Sequence, residues 1–473
     1  KIAEKNYKIL LDYYNENPYI SQKSSPELKD MRRLSVAPAN PYWSPILPAD
    51  LELNSFSDAK KYRYQGADGR DWIFYHRKNG CSYYDQYLSY LIADVIIFNS
   101  AKYLAEVDLG RKPLTEVEII DEADDFLDSL FQQKEINLNK VINGLILITC
   151  ETEKSQEGKE KVVQLLELEE KNKNALGVNE DDVYPLSETK LMKVFEILNR
   201  NSELESEIAI EELNYANKIL ESARMFKNSM EEVYVTFKKD EEGLSVSLVS
   251  TNLSGRFNDI ANKSKAMVFM SGTLHSEKVL KNIFKIKDYK IVEAETSNYG
   301  NIEILRTGNE IDCRYSFFNS KKHTRKEYLH ALSSCMSKAI KPVLVHVHAF
   351  QDLPTEKEKL TMQNLISSED LMNSQRKDKV GKNVSLFKEG KSEFLFSTKC
   401  SRGVDFPGKI CNSIIFTKYP NPNVKDTFWK ILQQKHPNYF WEFYKDKARR
   451  EFLQRTYRAL RSQDDHVYIL SPD

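Results

Sequence analysis

The chain has 473 residues, 69 Lys and Arg against 70 Asp and Glu, and an apolar content of 41%. This length exceeds one compact core and implies about two to four domains. The formal charge of −1 confines any nucleic-acid surface to a local basic patch, and no apolar run reaches the ~18 residues of a membrane span.

No signal peptide is visible, and none of the six cysteines, at 81, 150, 313, 335, 400 and 411, forms a C-x-x-C pair. The expectation is a cytoplasmic protein with reduced thiols and no membrane contact. The chain begins at Lys1 and stops just after the strand-like "VYILSPD", and so reads as a piece of a longer polypeptide.

In chain order, residues 1–30 have an amphipathic helical pattern. Residues 35–85, rich in Pro, Gly and aromatics, read as an irregular insert. "ADVIIFNSAKYL" (93–104) and "EVEIIDEADD" (116–125) read as buried strands ending in polar turns. From 131 to about 230 the pattern is helical and highly charged. "VYVTFKKDEEGLSVSLVS" (233–250) alternates about a Gly-containing turn, a hairpin signal. "KAMVFMSGTLHS", "KPVLVHVHAF", "EFLFSTKCSRGVDFPG" and "CNSIIFTKYPNP" are four further strand-then-turn units. Residues 425–461 are helical and locally basic, with seven Lys/Arg against three Asp/Glu between Phe440 and Arg461, a net of +4. Strands alternating with helices in two blocks predict an α/β protein with two parallel-sheet domains and ligands at the carboxyl ends of the strands.

Four motifs carry chemistry. Asp121 and Glu122 close an apolar strand, where a carboxylate pair can hold Mg²⁺ and polarise water; an acidic helix start would look the same. "MSGTL" (270–274) is either plain strand termination or a hydroxyl-rich link to a nucleic-acid groove. In "STKCSRGVDFPG" (397–408), Gly403 permits close backbone approach, Asp405 can bond a ribose or an adjacent arginine, and the hydroxyls can reach phosphates. In "QRTYRALR" (454–461), Gln454, Arg458 and Arg461 fall at i, i+4 and i+7 and are expected on one helix face, as arginine fingers or as a basic solvated face.

Taken together and in this order, the four motifs resemble a superfamily 2 helicase. "CSYYDQYLSYLIADVIIFNSAKYL" resembles the lead-in to the carboxylate motif in the XPD/DinG helicases, and "GVDFPG" with "IIFTKYPNP" resembles their fifth motif and the turn after it. The resemblance covers most of residues 75–473.

It implies two RecA-like parallel-sheet motor domains with a helical, arch-like insertion. Residues 1–130 would be a partial first motor domain with the aromatic insert at about 35–85. Residues 131–235 would be the insertion, 236–300 the return to the first domain, and 301–473 the second. The implied activity is an ATP- and Mg²⁺-dependent DNA helicase moving 5′ to 3′ on single-stranded DNA. Asp121 would be the metal ligand and Glu122 the catalytic carboxylate. Gln454, Arg458 and Arg461 would sense the nucleotide, aided by Gly403 and Asp405. Candidate DNA contacts are Ser271, Thr273, Thr398, Lys399, Ser401 and Arg402, with Trp72, Tyr83 and Tyr84 as further stacking candidates. The family usually has Gly where this chain has Tyr457, and His where it has Asp124.

A phosphate loop needs G-x-x-x-x-G-K-[ST] after a strand. The only "GKS", at Gly390–Ser392, has Ser385 in place of the first Gly and precedes its strand. It is therefore expected to be a plain turn, with the phosphate loop upstream of Lys1 or on a second polypeptide. An alternative is a nucleic-acid-binding scaffold with a helicase fold that no longer hydrolyses ATP; another is an unrelated α/β protein with coincidental motifs. An iron–sulfur cluster is not expected: it needs four thiolates, and Cys81 stands alone before Cys150. The aromatic insert is expected to pack a small core in its place.

Overall fold

The computed structural model describes residues 7–17, 23–27, 30–31, 33–51, 58–211, 213–293, 300–362, 364–378, 380–399 and 403–473. It divides into two compact units, Lys1–Met270 with Lys430–Lys435, and Ser271–Trp429 with His436–Asp473. The second unit thus begins at the serine of the Ser-Gly-Thr turn, some way before the boundary at 301 read from the sequence.

The first unit opens with the helix Tyr7–Asn15, within the segment read as helical, and continues with an antiparallel sheet of β1 (Ile46–Pro48), β2 (Lys60–Gln65) and β3 (Asp71–His76), ordered β1-β3-β2. The segment expected to be irregular is therefore a small aromatic module. Its central strand is covered on both faces. Trp72 and Phe74 pack with Tyr64, Tyr87 and Tyr90, while Ile73 and Tyr75 pack with Trp43 and Leu47. Double-sided burial erases the apolar–polar alternation that marks a half-exposed strand.

β4 (Val117–Ile120) follows, ending at the carboxylate pair. "VIIF" at 95–98 is not a strand, and Val95 and Ile97 are exposed. The buried residue of β4 is Glu118, not an aliphatic. Its carboxylate accepts hydrogen bonds from the Lys112 ammonium, the Tyr103 hydroxyl, Thr115 Oγ1 (2.8 Å) and Ser264 Oγ. Burial pushes the Glu118 carboxyl up, but Lys112, Ser264 and Tyr103 together hold it below the usual range.

The insertion contains β5 (Gln132–Asn137), β6 (Tyr184–Pro185), β7 (Val233–Asp240) and β8 (Gly243–Ser250) in the antiparallel order β5-β8-β7-β6. The expected hairpin is present. Because β8 pairs with β5 over 132–137, the hairpin closes the insertion instead of returning the chain to the first domain at 236. Helices cover the sheet, the longest being Glu153–Leu176, capped by Thr152 and Ser155. The core runs through Val141, Leu166, Phe195, Phe226 and Val246. β9 (Ala266–Phe269) then pairs in parallel with β4. One face of this ribbon shows Val117, Ile119, Val268 and Met270 to solvent, each more than 40% exposed, so β9 is not the buried strand its sequence indicates.

The second unit is a five-stranded sheet of β10 (Asn301–Ile304), β11 (Val343–His346), β12 (Phe394–Ser397), β13 (Ser413–Phe416) and β14 (His466–Leu470), ordered β10-β14-β13-β11-β12. Every pairing is parallel. β11 and β13 are wholly buried, as a sheet covered on both faces requires. β10 was not read from the sequence. The helix Pro437–Thr456 leads toward β14. Among the described residues no helix is long and apolar enough to cross a membrane.

Candidate nucleotide and nucleic-acid site

In the first unit, the turn carrying Asp121 and Glu122 is fixed by backbone bonds on both sides. Met270 N donates to Ile120 O and Ala123 N to Met270 O, each at 2.9 Å. Glu122 adopts φ 49° and ψ 47°, a left-handed conformation that costs a non-glycine residue about 1–3 kcal/mol and gathers at functional sites. Its amide donates to Asp121 Oδ1 at 2.9 Å. Both carboxylates are exposed, whereas Asp124 is fully buried. Mg²⁺ is commonly held by one or two carboxylates with phosphate oxygens completing its shell, so an exposed Asp121 suits that donor set. Among the described residues no group of three or more His, Cys, Asp and Glu is placed to hold a metal.

Cys81 lies at the start of the short helix Ser82–Asp85 and is the single cysteine before Cys150. These residues do not by themselves fit a four-thiolate cluster. The aromatic core expected in that region is present. The five described cysteines are free thiols.

In the second unit, Thr273 and Gln454 meet: the Gln454 amide donates to Thr273 Oγ1 at 2.8 Å, with both side chains buried. Thr273 N donates to Ser271 Oγ at 3.1 Å. The Thr273 hydroxyl therefore serves the protein interior, against the expectation of a nucleic-acid contact.

The arginine motif does not share one helix face. The helix ends at Thr456, Arg458 lies in a 3₁₀ turn over Tyr457–Ala459, and Arg461 stands beyond it. The two arginines converge all the same. Arg458 Nη1 donates to Asp405 Oδ1 at 3.0 Å, and Arg461 donates to the same oxygen. Phe406 N to Arg458 O, at 2.7 Å, ties the two loops. Partial burial raises the Asp405 carboxyl, but the bonds from Arg461 and Arg458 hold it below the usual range. Of the two partners foreseen for Asp405, the structure has the arginine.

Gly403 has φ 76° with open space where a Cβ would stand, so its backbone conformation, not close approach, calls for glycine. Thr398 Oγ1 donates to Gln375 Oε1 at 2.9 Å, and Lys399 is exposed. Ser401 and Arg402 lie outside the described residues. Among the stacking candidates, Trp72 is buried and Tyr83 is 57% exposed. Tyr457 is partly exposed. Gly390 turns the chain between the helix Lys382–Lys388 and β12 with φ 70°, so the "GKS" is a turn, as expected.

Residues 332–473 match the family model of the helicase C-terminal domain. No curated protein matches the chain. Among solved structures, one described as an XPD helicase is 16% identical with a TM-score of 0.42, over 75% of this chain and 64% of that one. An XPD structure in its apo form is 15% identical with a TM-score of 0.42, over 75% and 72%. The structure of S. tokodaii Xpd4 is 17% identical with a TM-score of 0.45, over 76% and 72%. The chain thus spans about two thirds of the length of these structures.

Proposed function

We propose that this chain is part of an ATP-dependent DNA helicase of the XPD/DinG type, translocating 5′ to 3′ on single-stranded DNA. The observation that carries the reading is the convergence of Arg458 and Arg461 on Asp405, within the segment that matches the helicase C-terminal domain. Two guanidinium groups held by one carboxylate are oriented in advance, as stabilisation of charge on a transferring phosphoryl group requires. In the first unit Asp121 would hold Mg²⁺, which neutralises phosphate charge. Glu122, set by its left-handed backbone, would orient the attacking water.

The phosphate loop is not among these 473 residues. In this reading it comes from another segment or polypeptide, and the uncovered apolar face of Val117, Ile119 and Val268 is where that segment would pack, since parallel sheets are covered on both faces. Single-stranded DNA would contact Ser271, Thr398, Lys399, Ser401 and Arg402.

Unwinding of duplexes carrying a 5′ or a 3′ single-stranded tail tests the proposal on the natural gene product. ATP-dependent unwinding of the 5′-tailed duplex alone is the expected result. DNA binding without ATP-dependent unwinding would instead favour a scaffold role, and opposite polarity would refute the XPD/DinG assignment.

A further inference from the structure

The helix Pro437–Thr456 carries a face that the nucleotide chemistry does not use. Trp441, Lys445 and Arg449 recur every four residues and so form one stripe. All three are exposed, Trp441 by 55%. The same stripe reaches Phe452 three residues later. There Phe452 stacks on Tyr419 with ring centroids 5.5 Å apart and planes at 24°, and Tyr419 is itself 38% exposed. The run from Trp441 to Phe452 is roughly 16 Å long at helical rise.

The charge on this face is one-sided for a structural reason. The three acids of the helix turn to internal partners. Asn282 donates to Glu442 at 3.2 Å. Asp446 accepts from Ser276 N and from Arg450 Nε. Glu451 pairs with Arg455 at 3.6 Å. Among the described residues, Lys445 and Arg449 enter no ion pair. Unneutralised cations flanked by exposed aromatic rings are the pattern of a surface that tracks a phosphate backbone and stacks its bases.

We propose that this stripe is a binding surface for single-stranded nucleic acid, with Trp441 and Tyr419 as stacking platforms and Lys445 and Arg449 as phosphate contacts. It adds residues beyond the helicase motifs and rests on the reading that the protein handles single-stranded DNA. A Trp→Phe change at 441 keeps a ring for stacking, whereas Trp→Ala removes it.

The test is binding of a fluorescein-labelled oligothymidylate to the whole chain, by anisotropy across a salt series and by quenching of intrinsic fluorescence. Of the four tryptophans, Trp72 and Trp429 are buried, Trp43 is half-buried and Trp441 is exposed, so quenching by the oligonucleotide reports mainly on Trp441. Trp441→Ala is expected to weaken binding about tenfold or more and to remove most of the quenching, while Trp441→Phe retains most of the affinity. Lys445→Ala with Arg449→Ala is expected to lower the slope of log K against log salt by about 1.4, roughly 0.7 for each lost phosphate contact. Oligonucleotide binding by the wild type with unchanged affinity and slope in these variants overturns the surface and leaves the DNA reading standing. No binding by the wild type overturns both.

Discussion

The Gln454 amide donates to Thr273 Oγ1 at 2.8 Å across 181 positions of sequence. It joins the Ser-Gly-Thr turn to the helix that leads into the two arginines. Each group is buried, so loss of either removes this hydrogen bond from the interior, where it is not replaced by water. Thr273→Val and Gln454→Ala should each destabilise the chain, and the double variant should lose less than the sum. The coupling expected from a denaturant-unfolding cycle is about 1 kcal/mol. Strictly additive losses would mean that the contact carries no energy.

Arg458→Ala should lower ATP turnover by ~10³ while nucleotide still binds, if Arg458 acts on the γ-phosphate. Asp405→Asn should fall between that variant and the wild type, because the arginines remain but lose the carboxylate that orients them. Steady-state kinetics of both variants of the natural gene product separate the two effects. An Asp405→Asn enzyme indistinguishable from wild type would show that the pairing does not position the arginines.

Lys112→Met leaves Glu118 buried without its cation and should destabilise the first unit by about 3–5 kcal/mol. Replacing Glu118 by Leu in the same chain should restore much of the loss, since an apolar pair can substitute for a buried ion pair. Hydrogen exchange of the amides of β4 and of the turn at 121–123 reads both effects. Protection that is equal in the single variant and the wild type would mean that the Lys112–Glu118 pair does not hold this strand.

His346 is fully buried and stacks on Phe416 at 5.3 Å. Burial, aided by the nearby Arg455 charge, lowers its pKa to about 3. A histidine depressed in the folded state contributes stability that is complete above its unfolded pKa near 6.5 and is lost as pH falls toward 3. Unfolding free energy of the chain should therefore decline between about pH 6.5 and 3 with a contribution approaching 1.4 kcal/mol per pH unit. His346→Phe should flatten that part of the profile, and an unchanged slope in that variant would contradict the assignment.

Much of the second unit was legible because β11, β12, β13 and β14 are continuous apolar runs followed by polar turns. That Asp405 could take an arginine partner was legible from its loop, but that the partners are Arg458 and Arg461, 53 and 56 positions away, was not. Other features were hidden for identifiable causes. "VIIF" at 95–98 has strand composition, but pairing is a property of neighbours: Ile97 is 93% exposed, and no strand among the described residues pairs with this segment. The aromatic module looked irregular because its strands are short and the turn between β2 and β3 contains Gly66 and Gly69. The bond between Thr273 and Gln454 and the left-handed backbone of Glu122 leave no trace in periodicity or composition. The helix end after Thr456 was missed because "QRTYRALR" has no Gly or Pro to mark it.

In the proposed reading Asp121 and Glu122 form the hydrolytic centre of a DNA-stimulated ATPase. The decisive measurement is ATP turnover of the natural gene product with and without single-stranded DNA, for the wild type and for Glu122→Gln. The amide keeps the size of the side chain and removes its basicity. Turnover is expected to rise with DNA in the wild type and to be abolished in Glu122→Gln, with ATP and DNA binding retained in the variant. Near-wild-type turnover by Glu122→Gln would exclude Glu122 as the hydrolytic carboxylate.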